Sequence, residues 1–308
     1  MNMIEFADKP EEQVDPFELY FSENIEPLIE AENNTKQKYR SKFWGYFVSV
    51  IFLLSVNALI VLYRVQMYDK PLSWEQLFLV SFGVMLLVFI PIRSYNKLPK
   101  NDIFDAFLKF YGGWEHSKNS HVNLVHSPII PEHDAVGARH EIKGTFQNST
   151  IEIRDTYYTM KTKIVSSGVV LYLTFADKFE GSLLMYDRKG FYRKNKREGY
   201  EYYNNKVDIP SVNYFNVFVS NEKIGEQLIH SLFLENLLDL KDAYHAKNVY
   251  LQAEENYVRV YLEGSEIYID NYKFWGKRVD KNRFLEMHRE LEKTDVFVQT
   301  VMSLTERK

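Results

Sequence analysis

Two long apolar stretches lie near the N-terminus of the 308-residue chain. Residues 43–63 are 21 positions without a charged side chain, and residues 76–92 are 17, with Trp74 just before them. As a helix, the first stretch extends about 31 Å, which is roughly the thickness of the hydrocarbon core of a bilayer. The apolar region of a cleaved signal peptide is shorter and lies closer to the start of a chain. The pattern therefore predicts a two-helix transmembrane hairpin over 43–92, with spans at about 43–63 and 74–92.

The rest of the chain shows the alternation of apolar and polar side chains that is typical of β-strands. The clearest example is 257–270, where apolar residues alternate with polar ones on both sides of a Gly-Ser turn. Apolar residues recur at helical spacing in two other segments, 222–240 and 280–304. Strands grouped around two main helices, without regular strand–helix alternation, indicate an α+β fold. We therefore expect a β-rich cytosolic domain over 100–308.

The basic residues that flank the apolar stretches predict their orientation. Residues 1–32 contain ten acidic side chains and one lysine, and 36–42 then contain four Lys or Arg residues without an acid. Three more basic residues follow the second stretch within 93–100, whereas the connecting segment has two. Since Lys and Arg are enriched on the cytoplasmic side of membrane helices, both termini are expected in the cytoplasm. The sequence thus predicts a multi-pass protein of the cell membrane, with an acidic and then basic cytosolic segment at 1–42.

The composition narrows the possible chemistry. The chain has no cysteine, which suits a reducing compartment and excludes thiolate catalysis and cysteine-based metal sites. Its 45% hydrophobic and 26% charged residues are ordinary for a folded protein. The net charge of -4 gives no reason to expect a nucleic-acid partner.

Five of the eight histidines lie within 116–140: His116, His121, His126, His133 and His140. Imidazole binds zinc and similar metals, so a metal-dependent enzyme is one hypothesis, with His116, His121 and His126 as candidate ligands. However, the spacing does not place these residues on one helical face and matches no H-E-x-x-H motif. Solvated or hydrogen-bonded loop histidines are the favoured interpretation, and we expect no cofactor.

The segment 187–203 combines basic and aromatic residues, with Phe191 and Tyr192 among six cationic side chains. This composition can contact anionic lipid or single-stranded nucleic acid, and lipid headgroups are the nearest polyanion to a domain tethered at a bilayer. The alternative is a solvated connection between strands with glycine turns, and nucleic acid is the least favoured partner. The candidate residues for lipid or anion contact are Arg188, Lys189, Arg193, Lys194, Lys196 and Arg197.

No catalytic motif is present, since the chain has no G-x-S-x-G, Walker A or G-x-G-x-x-G pattern. Glu286, His288 and Glu290 alternate in the last predicted helix, but residues two positions apart do not share a helix face. We expect these three side chains to face solvent. The sequence therefore does not favour an enzyme.

Several blocks of the chain, within most of 40–300, resemble the bacterial two-span membrane proteins of domain-of-unknown-function family 3137. After the paired apolar stretches, they comprise 127–134 (SPIIPEHD), 137–153, the tripeptide FEG at 179–181 and the best-matching block, 214–240. The chain departs from the family pattern at 138–140, where acids and an aromatic are usual, and at 221–222, where Asn221 or Glu222 stands in place of an aspartate. The resemblance implies a membrane hairpin with a cytosolic domain, and it carries no known activity.

Three functions fit these observations. The first is a membrane-anchored interaction or scaffold domain that contacts the lipid bilayer and a protein partner, or a second copy of itself. The second is a metal-dependent enzyme that uses histidines within 116–140. The third is a channel or transporter subunit built from oligomerised hairpins, although neither apolar stretch holds the charged residues that ion pathways usually contain. The sequence favours the first.

Overall fold

The protein forms two compact units in a computed structural model, which describes residues 15–68, 81–98, 103–112, 114–118, 127–146, 149–189, 199–267, 275–276 and 278–305. The first unit, the helical unit, comprises Met1–Ala106 and Asp270–Lys281. The second, the sheet unit, comprises Phe107–Ile269 and Asn282–Lys308.

The helical unit is built on consecutive helical segments: α1 (Pro16–Tyr20), a π-helical turn (Phe21–Ile25) and the 43-residue α2 (Glu26–Tyr68). The side chain of Asp15 caps α1 by accepting a hydrogen bond of 2.9 Å from the Phe17 N–H. The π turn comes immediately before Pro27, which has no N–H to donate and whose ring would clash with the preceding turn of a regular α-helix. The wider turn thus allows the helix to continue through a proline.

One face of the first part of this helix is apolar and buried. Phe17, Phe21, Ile25 and Ile29 recur every four residues and are all buried, as expected for an amphipathic helix. Further along the helix, Glu32 accepts a 2.6 Å hydrogen bond from the Tyr95 hydroxyl of α3 (Phe89–Asn96). Asn33 exchanges two hydrogen bonds with the backbone of Val279, at 3.1 and 2.9 Å. These contacts join α2, α3 and the 278–281 segment within the helical unit.

In its described residues, the sheet unit contains nine antiparallel strands in the order β1-β2-β3-β4-β9-β8-β5-β7-β6. The long meander β2–β3–β4 lies toward one edge, and the hairpin β8–β9 joins it to three short strands. The strands are β1 (Glu115–Lys118), β2 (Ala135–Phe146), β3 (Ser149–Met160), β4 (Lys163–Thr174), β5 (Leu183–Asp187), β6 (Glu201–Tyr202), β7 (Phe215–Val219), β8 (Asn248–Glu254) and β9 (Tyr257–Glu263).

Four more α-helices lie within the described residues: α4 (Ile103–Lys109), α5 (Glu222–Leu228), α6 (Ser231–Ala243) and α7 (Lys281–Thr305). Lys241 of α6 forms an ion pair with Asp187, which lies on the same face of β5 as the buried Leu183 and Met185. This contact places α6 on that face of the sheet. The ring centroids of Phe233 and Phe297 lie 5.6 Å apart and join α6 to α7.

The opposite face of the sheet has an aromatic core. Tyr158, Tyr186, Tyr250 and Tyr261 come from four different strands and pack with Ile129, Ile130, Val170 and Leu184. The connection before β2 covers them, because Pro128 accepts a hydrogen bond of 3.4 Å from the Tyr186 hydroxyl. The high aromatic content of the sequence is therefore partly explained by this second core.

The predicted α+β class is confirmed as a large antiparallel sheet with a long N-terminal helix. Among the described residues, one helix, Pro16–Arg64, is long and apolar enough to cross a membrane. The second predicted span, 74–92, is described only from residue 81, within the shorter apolar helix Ser81–Asn96. The structure thus supports one membrane-spanning helix, and the hairpin and the multi-pass topology remain predictions.

The helix predicted at 222–240 is two helices in the structure. α5 ends at Leu228, because Ile229 and His230 have non-helical backbone angles, with ψ of 84° and 157°. A new helix, α6, begins at Ser231. The helix predicted at 280–304 is confirmed as the 25-residue α7.

Candidate functional site

The central part of α2 presents a large apolar surface. Only 6% of its most apolar 18-residue stretch is buried, whereas the core helix of a soluble protein is mostly buried. A contiguous exposed surface of this kind marks contact with a membrane or another apolar partner. We call the exposed large side chains of this region the apolar belt: Trp44, Tyr46, Phe47, Val48, Ile51, Phe52, Leu53, Leu59, Ile60, Leu62 and Tyr63.

The hydroxyl groups of two serines that lie among the belt residues along α2 are satisfied within the helix. Ser49 donates a hydrogen bond of 2.9 Å to the carbonyl oxygen of Gly45, and Ser55 makes the same contact with Ile51. In hydrocarbon, a polar group has no water to bind and must find its partner inside the protein. The local geometry of α2 therefore meets a requirement of burial in lipid.

Aromatic and basic groups gather at the N-terminal end of the belt. The rings of Phe43 and Trp275 meet edge to face, with centroids 4.8 Å apart, and the Lys42 ammonium lies 5.0 Å from the centre of the Tyr39 ring. Arg40 donates a 2.5 Å hydrogen bond to the carbonyl oxygen of Gly276. Aromatic and cationic side chains of this kind are enriched at membrane–water interfaces.

The predicted basic site is only partly within the described residues. Arg188 and Lys189 are exposed directly after β5, where Asp187 accepts a hydrogen bond of 3.0 Å from the Lys189 N–H. The carboxylate of Asp187, held by Lys241, thus fixes the start of the basic segment. Arg193, Lys194, Lys196 and Arg197 lie outside the described residues, and lipid or anion contact through this segment stays a prediction.

Two of the five histidines within 116–140 meet across neighbouring strands. Nε2 of His116 lies 3.2 Å from Nδ1 of His140, and the two rings stack with centroids 5.4 Å apart. The pairing of β1 with β2 produces this contact between residues 24 positions apart. His121 and His126 lie outside the described residues. Within the part of the chain that the structure describes, no group of three or more His, Cys, Asp or Glu residues is placed to hold a metal ion.

Next to this histidine pair, β3 carries a buried carboxylate. Asp155 is paired with His140 across the β2–β3 ladder, and its nearest cation is the Arg139 guanidinium at 3.7 Å. Burial raises the pKa of Asp155 to about 6, the nearby Arg139 charge opposes this change, and Glu266 adds to it. One carboxylate oxygen, Oδ1, has no hydrogen-bond partner. The charged form of Asp155 is therefore poorly compensated.

We expect the substitution Asp155→Asn to stabilise the sheet unit at neutral pH. Between about pH 4 and pH 6, the folded protein retains a proton on Asp155 that the unfolded chain has released, so stability decreases as pH rises. Above this range, the folded state bears the full cost of a buried charge. The melting temperature should therefore be higher in the variant at neutral pH, and its decrease between pH 4 and 6 should be smaller.

Thermal unfolding measured across this pH range tests the expectation. Asp177→Asn, at an exposed aspartate of the same unit, is the control and should follow the wild-type curve. A melting temperature of Asp155→Asn below the wild-type value at neutral pH would show that the ion pair with Arg139 outweighs the cost of burial.

The last helix also contains buried titratable groups, where solvent exposure was expected. His288 and Glu290 are buried and only Glu286 is exposed, so that expectation is wrong for two of the three residues. Nδ1 of His288 lies 2.5 Å from the Tyr111 hydroxyl, and Glu290 pairs with Arg283 at 2.8 Å. Burial raises the pKa of Glu290 to about 7, against the opposing effect of Arg283. Residues on different faces of α7 are both buried because this helix is covered on more than one side, so a position on a second face did not imply exposure to solvent.

A row of arginine and tyrosine side chains crosses the face of the sheet that carries the aromatic core. The Tyr172 ring centre lies 4.9 Å from the guanidinium carbons of both Arg154 and Arg259. Arg154 is paired with Glu141 and Glu152, at 2.6 and 2.5 Å. Arg259 forms no ion pair with any residue that the structure describes, and its Nε has no hydrogen-bond partner. Sequence reasoning missed this row, because cross-strand neighbours are known only once the register is known.

The comparisons with known proteins leave the family open. No family model matches the chain, and no curated protein matches it. Among solved structures, the crystal structure of the mycobacterial trehalose monomycolate transport factor A, TtfA, is similar over 64% of this chain and 92% of that chain, with 10% sequence identity and a TM-score of 0.39. A likeness at this level carries no function. The resemblance to family 3137 therefore stays a prediction.

Proposed function

We propose that this chain is a membrane-anchored protein whose α+β domain serves as an interaction or scaffold platform on the cytosolic side. The observation that carries the proposal is the apolar belt of α2, which is exposed, free of charged residues and long enough to span a bilayer. The aromatic and basic groups at its N-terminal end are those of a membrane interface.

A hairpin rather than a single anchor is the topology that we propose. The helix Ser81–Asn96 also exposes large apolar side chains, including Phe82, Met85 and Phe89, and α2 contacts α3 within the helical unit. With seven flanking Lys and Arg residues against two in the connecting segment, a hairpin has both termini in the cytoplasm. Membership of family 3137 would imply the same topology.

Interaction is favoured over catalysis by the surroundings of the unusual titratable groups. Asp155 and Glu290 have raised pKa values but are buried, and Glu290 is engaged by Arg283 of its own helix. A general acid or base has to reach the proton of a bound substrate. Within the described residues, the nine-stranded sheet instead ends in two short strands, β1 and β6, and the edge of a sheet is where a partner can add a strand.

Crosslinking in native membranes tests this proposal. Membranes are washed with alkaline carbonate, treated with an amine-reactive crosslinker, and the crosslinked species are identified by mass spectrometry. We expect the protein to stay in the washed pellet and to be crosslinked to a different protein. Release by carbonate would overturn the anchor, whereas adducts only with the protein itself would contradict the scaffold role and favour an oligomer.

A further inference from the structure

The hairpin formed by β3 and β4 extends beyond its neighbouring strands. β9 pairs with β4 only from Gly168 to Thr174, and the pairing of β2 with β3 ends at Thr159. Residues 160–165, which we call the hairpin tip, therefore project from the sheet. Within the tip, Met160 pairs with Lys163, which leaves a two-residue turn.

The turn at the tip has an uncommon backbone conformation. Lys161 and Thr162 both have positive φ, at 47° and 67°, a region that favours glycine and asparagine and disfavours a β-branched residue such as threonine. Asp134 holds this turn, because its carboxylate accepts a 2.7 Å hydrogen bond from the Lys161 N–H and its own N–H donates to Thr159 at 2.9 Å. The tip is thus a defined structure that is supported from outside the hairpin.

The side chains of the tip combine apolar and positive groups. Ile164 and Val165 are 61% and 47% exposed, although branched aliphatic residues in strands are normally buried. Val165 has no partner on β3, because the register shifts at this point, and this bulge keeps two apolar side chains next to each other. Lys161 and Lys163 are exposed beside them, and no acidic residue occurs in the sequence between Asp155 and Asp177.

We propose that the hairpin tip enters the headgroup region of an anionic lipid surface. Ile164 and Val165 provide the apolar contact with the acyl boundary, and Lys161 and Lys163 contact lipid phosphates while their methylene groups remain in apolar surroundings. The inference rests on the proposed membrane anchor, which keeps the sheet unit at a high effective concentration near the bilayer. The tip is then a second, shallow attachment point.

The positive charges of the hairpin tip favour lipid rather than a second copy of the chain as its partner. Two hairpin tips in contact would bring four lysines together, and within the described residues the turn is hydrogen-bonded by one carboxylate, that of Asp134. Like charges in an apolar contact are unfavourable. A bilayer containing phosphatidylglycerol supplies the apolar layer that Ile164 and Val165 require and the negative charge that the two lysines of the tip require.

The 308-residue chain contains no cysteine, which allows a direct test with the whole of it. Val165→Cys is labelled with an environment-sensitive fluorophore, and the protein is reconstituted into vesicles of phosphatidylcholine with phosphatidylglycerol, or of phosphatidylcholine alone. With the anionic lipid, we expect a blue shift, a several-fold rise in intensity and quenching by brominated acyl chains. Leu232→Cys, on α6 of the same unit and 57% exposed, is the matched control and should keep the emission of a label in water.

The outcomes separate the tip from the anchor. Adding Lys161→Gln and Lys163→Gln to the Val165→Cys chain should abolish most of the difference between the two kinds of vesicle. A label at 165 that emits as it does at 232, in protein that stays with the vesicles after a carbonate wash, would overturn the insertion of the tip but not the anchor. A blue shift that depends on protein density and is insensitive to bromination would identify a second copy as the occupant and would also overturn the proposal. Loss of the protein from the vesicles during the wash would overturn the anchor on which the proposal rests.

Discussion

Replacing Phe52 and Leu53 together with arginine is expected to release the protein from the membrane fraction. Both side chains are exposed members of the apolar belt and lie at the midpoint of residues 43–63. An arginine at the centre of a membrane helix costs about 2.5–3.5 kcal/mol on the insertion scale, so the pair costs about 5–7 kcal/mol. Because each 1.4 kcal/mol is a factor of ten, insertion should become less favourable by about a thousandfold or more. Snorkelling of the arginine side chains reduces this effect but does not remove it.

The measurement is the partition of the protein between pellet and supernatant after carbonate washing. The control carries the same two charges on exposed leucines outside the belt, as Leu19→Arg with Leu232→Arg, and should remain in the pellet. If the Phe52→Arg, Leu53→Arg protein is retained as well as this control, the belt is not the anchor.

A reporter fused after Lys308 should be cytosolic in the wild-type chain, and an extracytoplasmic signal would reverse the proposed orientation.

The second large effect is expected for Gly168→Ala in the middle of the sheet. A Cβ atom built on Gly168 would lie 2.3 Å from the backbone carbonyl oxygen of Leu262 and 2.7 Å from the Tyr261 ring. The carbonyl belongs to β9, which is paired with β4 at this position, so it cannot move away without breaking the ladder. Overpacking in a core costs about 1–3 kcal/mol, and a backbone contact belongs at the upper end of that range. Because the hairpin tip leaves the sheet near Gly168, its base should also be loosened.

Urea unfolding of the detergent-solubilised protein, followed by the tyrosine signals of the sheet unit, measures this loss. Ser167→Ala, at the neighbouring, half-buried position of β4, is the control and should remain close to the wild type, because it removes one hydroxyl group and adds no atom that could clash. Unfolding of Gly168→Ala at the wild-type urea concentration would mean that β4 and β9 can separate at this position without cost.

The elements of the fold follow from local patterns, whereas their arrangement does not. Apolar alternation predicts β9, and helical spacing predicts α7, because each depends on residues close in sequence. The strand order places β9 between β4 and β8, and this order depends on packing between distant segments. The break at Ile229–His230 was missed since neither residue is a proline or glycine, which are the usual local signals for the end of a helix.

Some of the candidate sites likewise follow from local sequence, whereas others depend on contacts between distant segments. The apolar belt is predictable because a long run without charge has one dominant physical consequence. The stacked His116 and His140 depend on the register of two strands, and spacing along the chain gives no information about it. The turn at Lys161-Thr162 lacks the Asn-Gly or Asp-Gly signal of a two-residue hairpin, so the tip and its exposed Ile164 were not recognisable as such.

The continuity of the helix from Pro16 through Tyr68 has a mechanical consequence. Residues 16–42, which precede the belt, form a rod of roughly 40 Å at 1.5 Å per residue, and it is joined end to end with the segment that would cross the membrane. Asn33 of this rod is bonded to the backbone of Val279. Tilt or axial rotation that a change in bilayer thickness imposes on the belt would therefore be transmitted as torque to the 278–281 segment. The contacts of this segment would then respond to the thickness of the membrane.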